Sequence, residues 1–148
     1  ANKGNPDVFN FPKPRIPELN YSFSGLKTSI LYFLRDKLKE DDHFIKNNIY
    51  DLSASIQSTI IEILMDKLTK ATIQTGISQI AIAGGVSANS GLRDAIVKAG
   101  IENGWKTFIP PFKFTTDNAA MIAIAGYFKY LNNDFASQDL TPYARSKF

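Results

Sequence analysis

The stretch Gln79-Ile-Ala-Ile-Ala-Gly-Gly-Val-Ser-Ala-Asn-Ser-Gly-Leu-Arg93 decides the fold class of this chain. Residues 80–83 form a short apolar run without polar alternation, the pattern of a strand buried on both faces in a parallel sheet. Gly84-Gly85 breaks that run. Ser87, Asn89 and Ser90 are good helix starters, and Leu92, Ile96 and Val97 begin a helical apolar stripe. The stretch therefore reads as strand, glycine turn, helix. In an open α/β sheet such a turn lies at the carboxyl end of a strand, where ligands bind. Glycine lets a ligand approach the backbone, and the free N–H groups of a helix start favour an anion. A tight connection without a ligand accounts for the same residues.

Moving outward, residues 105–109 supply another strand, closed by Pro110-Pro111. Thr115-Thr116-Asp117-Asn118 follows, and Thr115 or Thr116 is expected to cap a helix over residues 119–131. That helix is apolar nearly all round and rich in Ala and Gly, which predicts burial against the sheet. Upstream, residues 1–20 hold four prolines and read as an extended arm. Residues 21–24 read as a short strand ending at Gly25. Ile30, Leu31, Leu34 and Leu38 mark a helix from Leu26 to about Asp41. A longer helix is expected from Asn47 or Asn48 to just before Gly76, on the stripe Ile49, Leu52, Ile56, Ile60, Ile63, Leu64 and Leu68. Asp51, Ser55, Gln57 and Glu62 read as its ordinary polar face, and residues 132–148 as an irregular tail. The whole is one α/β domain over residues 1–148 with few strands for its length.

Composition narrows the function. The chain has 44% apolar residues, a net charge of +3 and a pI near 9.1, mildly basic values that permit a nucleic-acid partner without arguing for one. Zero cysteines exclude disulfides and thiolate metal sites and are compatible with a cytoplasmic protein. No run approaches the ~18 apolar residues of a membrane span, and no signal peptide is evident at Ala1, which is itself an unusual first residue and suggests a piece of a longer protein.

Few residues can do chemistry. Asp117 should share the carboxyl edge with the Gly84-Gly85 turn, where a carboxylate can hold a cation. An acid near a helix start is also stabilised by the helix dipole alone. Asn89 can cap its own helix or offer its amide to a ligand's hydroxyl groups. Ser24 and Lys27 form a polar turn in which Ser24 can cap and Lys27 can meet an anion. His43, the single histidine, reads as a surface residue. No catalytic side chain is assigned: Ser-His-Asp, Cys-His and phosphate-loop signatures are lacking.

Four motifs in order carry a resemblance: Tyr21-Ser-Phe-Ser-Gly-Leu-Lys-Thr28, Asp51-Leu-Ser-Ala-Ser-Ile-Gln57, Ile82-Ala-Gly-Gly-Val-Ser-Ala-Asn-Ser-Gly-Leu-Arg93 and Thr115-Thr-Asp-Asn-Ala-Ala-Met-Ile-Ala123. With Pro12-Lys-Pro14 before them and Thr141-Pro-Tyr-Ala-Arg145 after, the chain resembles the C-terminal portion of the tRNA threonylcarbamoyladenosine transferase family, formerly described as O-sialoglycoprotein endopeptidases. No protease motif supports the older description. The resemblance implies the C-terminal lobe of the two-lobed actin/Hsp70/sugar-kinase-like fold. It implies transfer of threonylcarbamoyl from threonylcarbamoyl-AMP to the N6 amine of the adenosine 3′ of the anticodon, in tRNAs reading ANN codons. Asn89 would contact the adenylate, the Gly84-Gly85 backbone would line it, and Asp117 would ligate a divalent metal, usually assigned as iron. The other metal ligands would be two histidines of a His-x3-His motif in an N-terminal lobe that this chain lacks. The 148 residues alone are thus expected to be inactive, to need that lobe, tRNA and partner proteins, and to self-associate through an exposed apolar inter-lobe surface. A kinase-like nucleotide-binding lobe of the same fold, acting on a small molecule or carbamate, and a non-catalytic interaction module are the alternatives.

Overall fold

A computed structural model describes residues 1–141, so the motif beginning at Thr141 and the tail beyond it lie largely outside the described residues. The elements run α1 (Ser24–Glu40), α2 (Phe44–Thr75), β1 (Gln79–Ala81), α3 (Ser90–Asn103), β2 (Lys106–Phe108) and α4 (Ala119–Leu131). Strands β1 and β2 pair in parallel, with Gln79 opposite Lys106 and Ala81 opposite Phe108. The β1-α3-β2 unit gives the α/β character anticipated from the sequence.

Helix α2 is the axis of the molecule. Its 32 residues span about 48 Å at 1.5 Å per residue. Leu52 and Ile63 pack with Leu26 of α1 and Phe11 of the arm. Ile61, Leu64, Met65 and Leu68 face the other way, toward Ile80, Leu92 and Ile96 of the β1-α3-β2 unit. Two cores thus share one helix. It stops at Gly76, whose φ of 69° is the left-handed geometry glycine tolerates at a helix end. Gly100 allows close packing of α3 on β2: a Cβ there would sit 2.8 Å from Thr107 Cγ2.

Several expectations are corrected. Residues 21–24 form no strand: the Lys27 N–H donates to the Phe23 carbonyl, and the helix claims Ser24 and Gly25 as its first residues. Four alternating residues with no strand beside them cannot hold a ladder. Consequently Ser24 does not cap; Phe23 occupies the cap position without a side-chain bond. Helix α2 begins at Phe44 rather than Asn47, because Phe44 packs with Phe9 and Phe33. Strand β1 is buried on one face only, with Ile80 inside and Gln79 and Ala81 exposed. Helix α4 has the expected bounds, but every one of its residues is exposed and none packs on the sheet. No other element of the described chain covers it.

The polar face of α2 is also the face along which the arm lies, with Ser55 buried and Glu62 still exposed. Asp51 accepts from the Asn5 N–H at 2.7 Å, Ser55 accepts from the Phe9 N–H at 3.2 Å, and Glu62 pairs with Lys13. These bonds fasten the irregular arm along the helix, where they satisfy backbone groups that have no secondary-structure partner.

Candidate functional site

Because β1 and β2 run parallel and in register, the turns that follow them leave from the same sheet edge. The first turn begins at Gly84, with φ 78° and ψ 177°. That region is essentially open to glycine alone. The chain then makes a single 3-10 turn, Gly85–Ala88, closed by Ser87, whose N–H and hydroxyl both donate to the Gly84 carbonyl at 3.0 and 2.6 Å. Ser87 is buried, so it serves the turn and not solvent.

Asn89 is the N-cap of α3. Its Oδ1 accepts from the Leu92 N–H at 3.0 Å, and its Nδ2 donates to Gln57 Oε1 on α2 at 3.2 Å. Capping is therefore real, and one N–H of the amide remains free of these bonds. A recess of about 290 Å³ opens beside it, lined by Ile56, Gln57, Ile61, Leu64, Val86 and Asn89.

After β2, Pro110-Pro111 lead into a 3-10 turn, Phe112–Phe114. Thr115 is buried, and its hydroxyl donates to the Phe112 carbonyl at 2.8 Å, so it secures this turn instead of capping α4. The cap is Asn118, whose Oδ1 accepts from the Met121 N–H at 3.2 Å. Asp117 stands just before the cap, exposed. Its carboxylate has no hydrogen bond or ion pair among the described residues, and none joins it to Asn89.

Arg93 ties the two turns together. Its guanidinium donates to the Ser87 carbonyl at 2.9 Å and to the Pro110 carbonyl at 2.7 Å, and lies over the Phe112 ring with 4.3 Å to the centroid. Neither this role nor the pairing of Gln57 with Asn89 is evident from the sequence. Gln57 carries one signal, its place in the second motif.

Tested as a metal site, the described residues fall short: they contain no group of three His, Cys, Asp or Glu side chains. His43 lies in the connection between α1 and α2, away from either turn. Asp117 supplies one oxygen donor group, and a cation needs several.

Comparison with known proteins agrees with the motifs. The profile of the family described as TsaD, tRNA N6-adenosine threonylcarbamoyltransferase, matches residues 1–124. The chain is 57% identical over 148 residues to a protein of that name from Christiangramia forsetii, covering 100% of the chain and 44% of the relative. It is 58% identical over 145 residues to one from Phocaeicola vulgatus, covering 98% of the chain and 43% of that relative. A Porphyromonas gingivalis protein of the same name is 57% identical over 145 residues, 98% of the chain and 42% of its own length. The chain thus spans less than half the length of the curated relatives it matches.

Proposed function

This chain belongs to the tRNA N6-adenosine threonylcarbamoyltransferase family, and from that membership we propose that it is the C-terminal lobe of an acyltransferase of the two-lobed kinase-like fold. The reaction is transfer of threonylcarbamoyl from threonylcarbamoyl-AMP to the N6 amine of the adenosine 3′ of the anticodon in tRNAs reading ANN codons, in the cytoplasm. The observation that carries this reading is the shared edge of the Gly84-Gly85 and Asp117 turns, fixed by parallel pairing and by Arg93.

In this reaction the adenine amine attacks the carbamoyl carbon, the bond from that carbon to the phosphate oxygen breaks, the amine gives up a proton, and AMP leaves. The residues of this chain hold the adenylate. The Gly84-Gly85 backbone permits close approach. The free Asn89 N–H donates to the ligand, while Gln57 and the Leu92 N–H fix the orientation of the amide. A divalent metal, iron by family resemblance, would supply Lewis-acid polarisation of the carbamoyl or phosphate oxygens. Asp117 would be one of its ligands and histidines outside this chain the others, since the described residues do not complete a site.

On this reading the 148 residues alone are inactive, and activity needs the N-terminal lobe and partner proteins. Exposed α4 favours a second role as an interaction surface, through which the isolated chain would self-associate. The test uses the native full-length protein with Asn89→Ala and Asp117→Ala, scored by nucleoside analysis of modified tRNA. We expect Asn89→Ala to raise the KM for the adenylate about 10-fold, the upper range for the loss of one hydrogen bond. Asp117→Ala should abolish transfer even at saturating adenylate. Wild-type modification by the Asp117 variant would favour the interaction module, and phosphoryl transfer from ATP to a small acceptor would favour the kinase-like reading.

A further inference from the structure

Where the arm crosses α2, a groove of about 550 Å³ is lined by Lys13, Pro14, Arg15, Asp66, Lys67 and Lys70, among others. Lys67 is 7% exposed. Its ammonium donates to the carbonyls of Ile16 and Glu18, each at 2.6 Å. Glu18 holds a left-handed backbone with φ 54°, uncommon for a residue with a side chain, and it presents its carbonyl and not its carboxylate to the lysine. An ammonium has three donors, and these two bonds use two. Among the described residues no carboxylate pairs with Lys67. Two nearby acids are committed, Asp66 to Lys70 at 2.8 Å and Glu62 to Lys13, and the Glu18 carboxylate makes no ion pair among the described residues. Arg15 is exposed and has no ion pair among the described residues.

The groove is therefore lined by four cations and one carboxylate: Lys13 and Lys70 are paired, with Glu62 and Asp66, while Arg15 and Lys67 have no ion pair among the described residues. Carbonyl dipoles solvate the buried Lys67 without neutralising its charge, and a buried charge is costly until it meets an opposite one. An arginine fork beside lysine point charges is the donor set that phosphate oxygens accept. We propose that this groove binds a phosphate group. Under the threonylcarbamoyl-transfer reading, on which only this part of the proposal rests, the phosphate belongs to the tRNA backbone; a free phosphate anion is the other source with the same chemistry. The groove would position tRNA without touching the reacting atoms.

The experiment compares native full-length protein with the double variant Arg15→Gln, Lys70→Gln, which leaves the Lys67 clamp intact. Arg35→Gln with Lys39→Gln on α1 is the charge-matched control. Matched thermal unfolding checks the fold. Inorganic phosphate is titrated by 31P NMR, and tRNA binding is followed against salt. We expect phosphate binding to weaken about 10-fold in the groove variant, and the log–log salt slope for tRNA to fall by about 1, for the one phosphate no longer neutralised. KM for tRNA should rise while kcat and the KM for the adenylate stay unchanged. Weakened phosphate binding with an unchanged tRNA slope assigns the groove to a free anion. Unchanged behaviour of both ligands overturns the proposal, as does an equal effect in the α1 control. A wild-type protein that modifies no tRNA would sink the transfer reading, yet the phosphate titration would still decide the groove.

Discussion

Arg93 does with one side chain what a two-stranded sheet cannot do with its ladder: it fixes the relative position of the chain after β1 and the chain after β2. Its two bonds end on the Ser87 and Pro110 carbonyls, in the turns that follow the strands, and the Phe112 ring shields the guanidinium face. Arg93→Met should lower stability by about 1.5–3 kcal/mol, the range for hydrogen bonds to a charged group. Arg93→Lys should recover only part of that loss, since a point donor does not span both carbonyls. Chemical denaturation measures both, and equal stability of the Met variant and wild type would disprove the role. At this scale the sequence is legible where the rule is local. Asn89 three residues before Leu92 is a capping pattern, and Gly84-Gly85 before a helix start is a turn pattern. Arg93 is illegible because its second partner lies 17 residues away and is a backbone carbonyl, which no residue type advertises. The same limit hides the Asn118 cap behind two equally plausible threonines.

Among the elements, the pairing of the arm with α2 is the junction whose strength can be tuned by pH. A hydrogen bond from Lys13 holds the Glu62 carboxyl below its ordinary range; burial opposes the shift, and Ser58 adds to it. A carboxyl whose pKa is lowered by folding adds stability above the ordinary carboxylate pKa, and loses it as pH falls through the lowered folded value. Both side chains are about half exposed, so the pair contributes only about 0.2–1 kcal/mol. Lys13→Met should therefore destabilise the protein by that amount near neutral pH and by nothing measurable once Glu62 is protonated. Thermal unfolding at both pH values is the check, and an NMR titration should show the Glu62 pKa rising in the variant. A difference that persists in acid would mean the lysine acts through packing. The helices themselves are readable from their stripes and from Gly76 and Gly104, which end α2 and α3 with left-handed backbones. The arm is not. Its prolines announce irregular backbone, but nothing in them announces that Phe9 and Phe11 belong to a core built on residues some forty positions later.

For the whole molecule, the decisive surface is α4. A helix that is apolar on every side is stable in a folded protein only when something covers it, yet Ile122 is 77% and Phe128 57% exposed. Its bounds and its demand for burial are both legible in residues 119–131. The partner is not: the sheet expected to cover it consists of two strands of three residues, which offer too little area. The chain of 148 residues should therefore sediment as a concentration-dependent oligomer. Ile122→Lys with Phe128→Lys should return it to a monomer, and a monomeric wild type across the same concentrations would refute the expectation. The shared axis α2 has a different consequence, one of timing. Helices α1 and α2 are neighbours in sequence and meet after a short loop closure, whereas the aromatic pair of the arm must travel back across some forty residues to finish their core. During synthesis the arm, which leaves the ribosome before α2, would thus wait for its native place until most of that helix has followed it out.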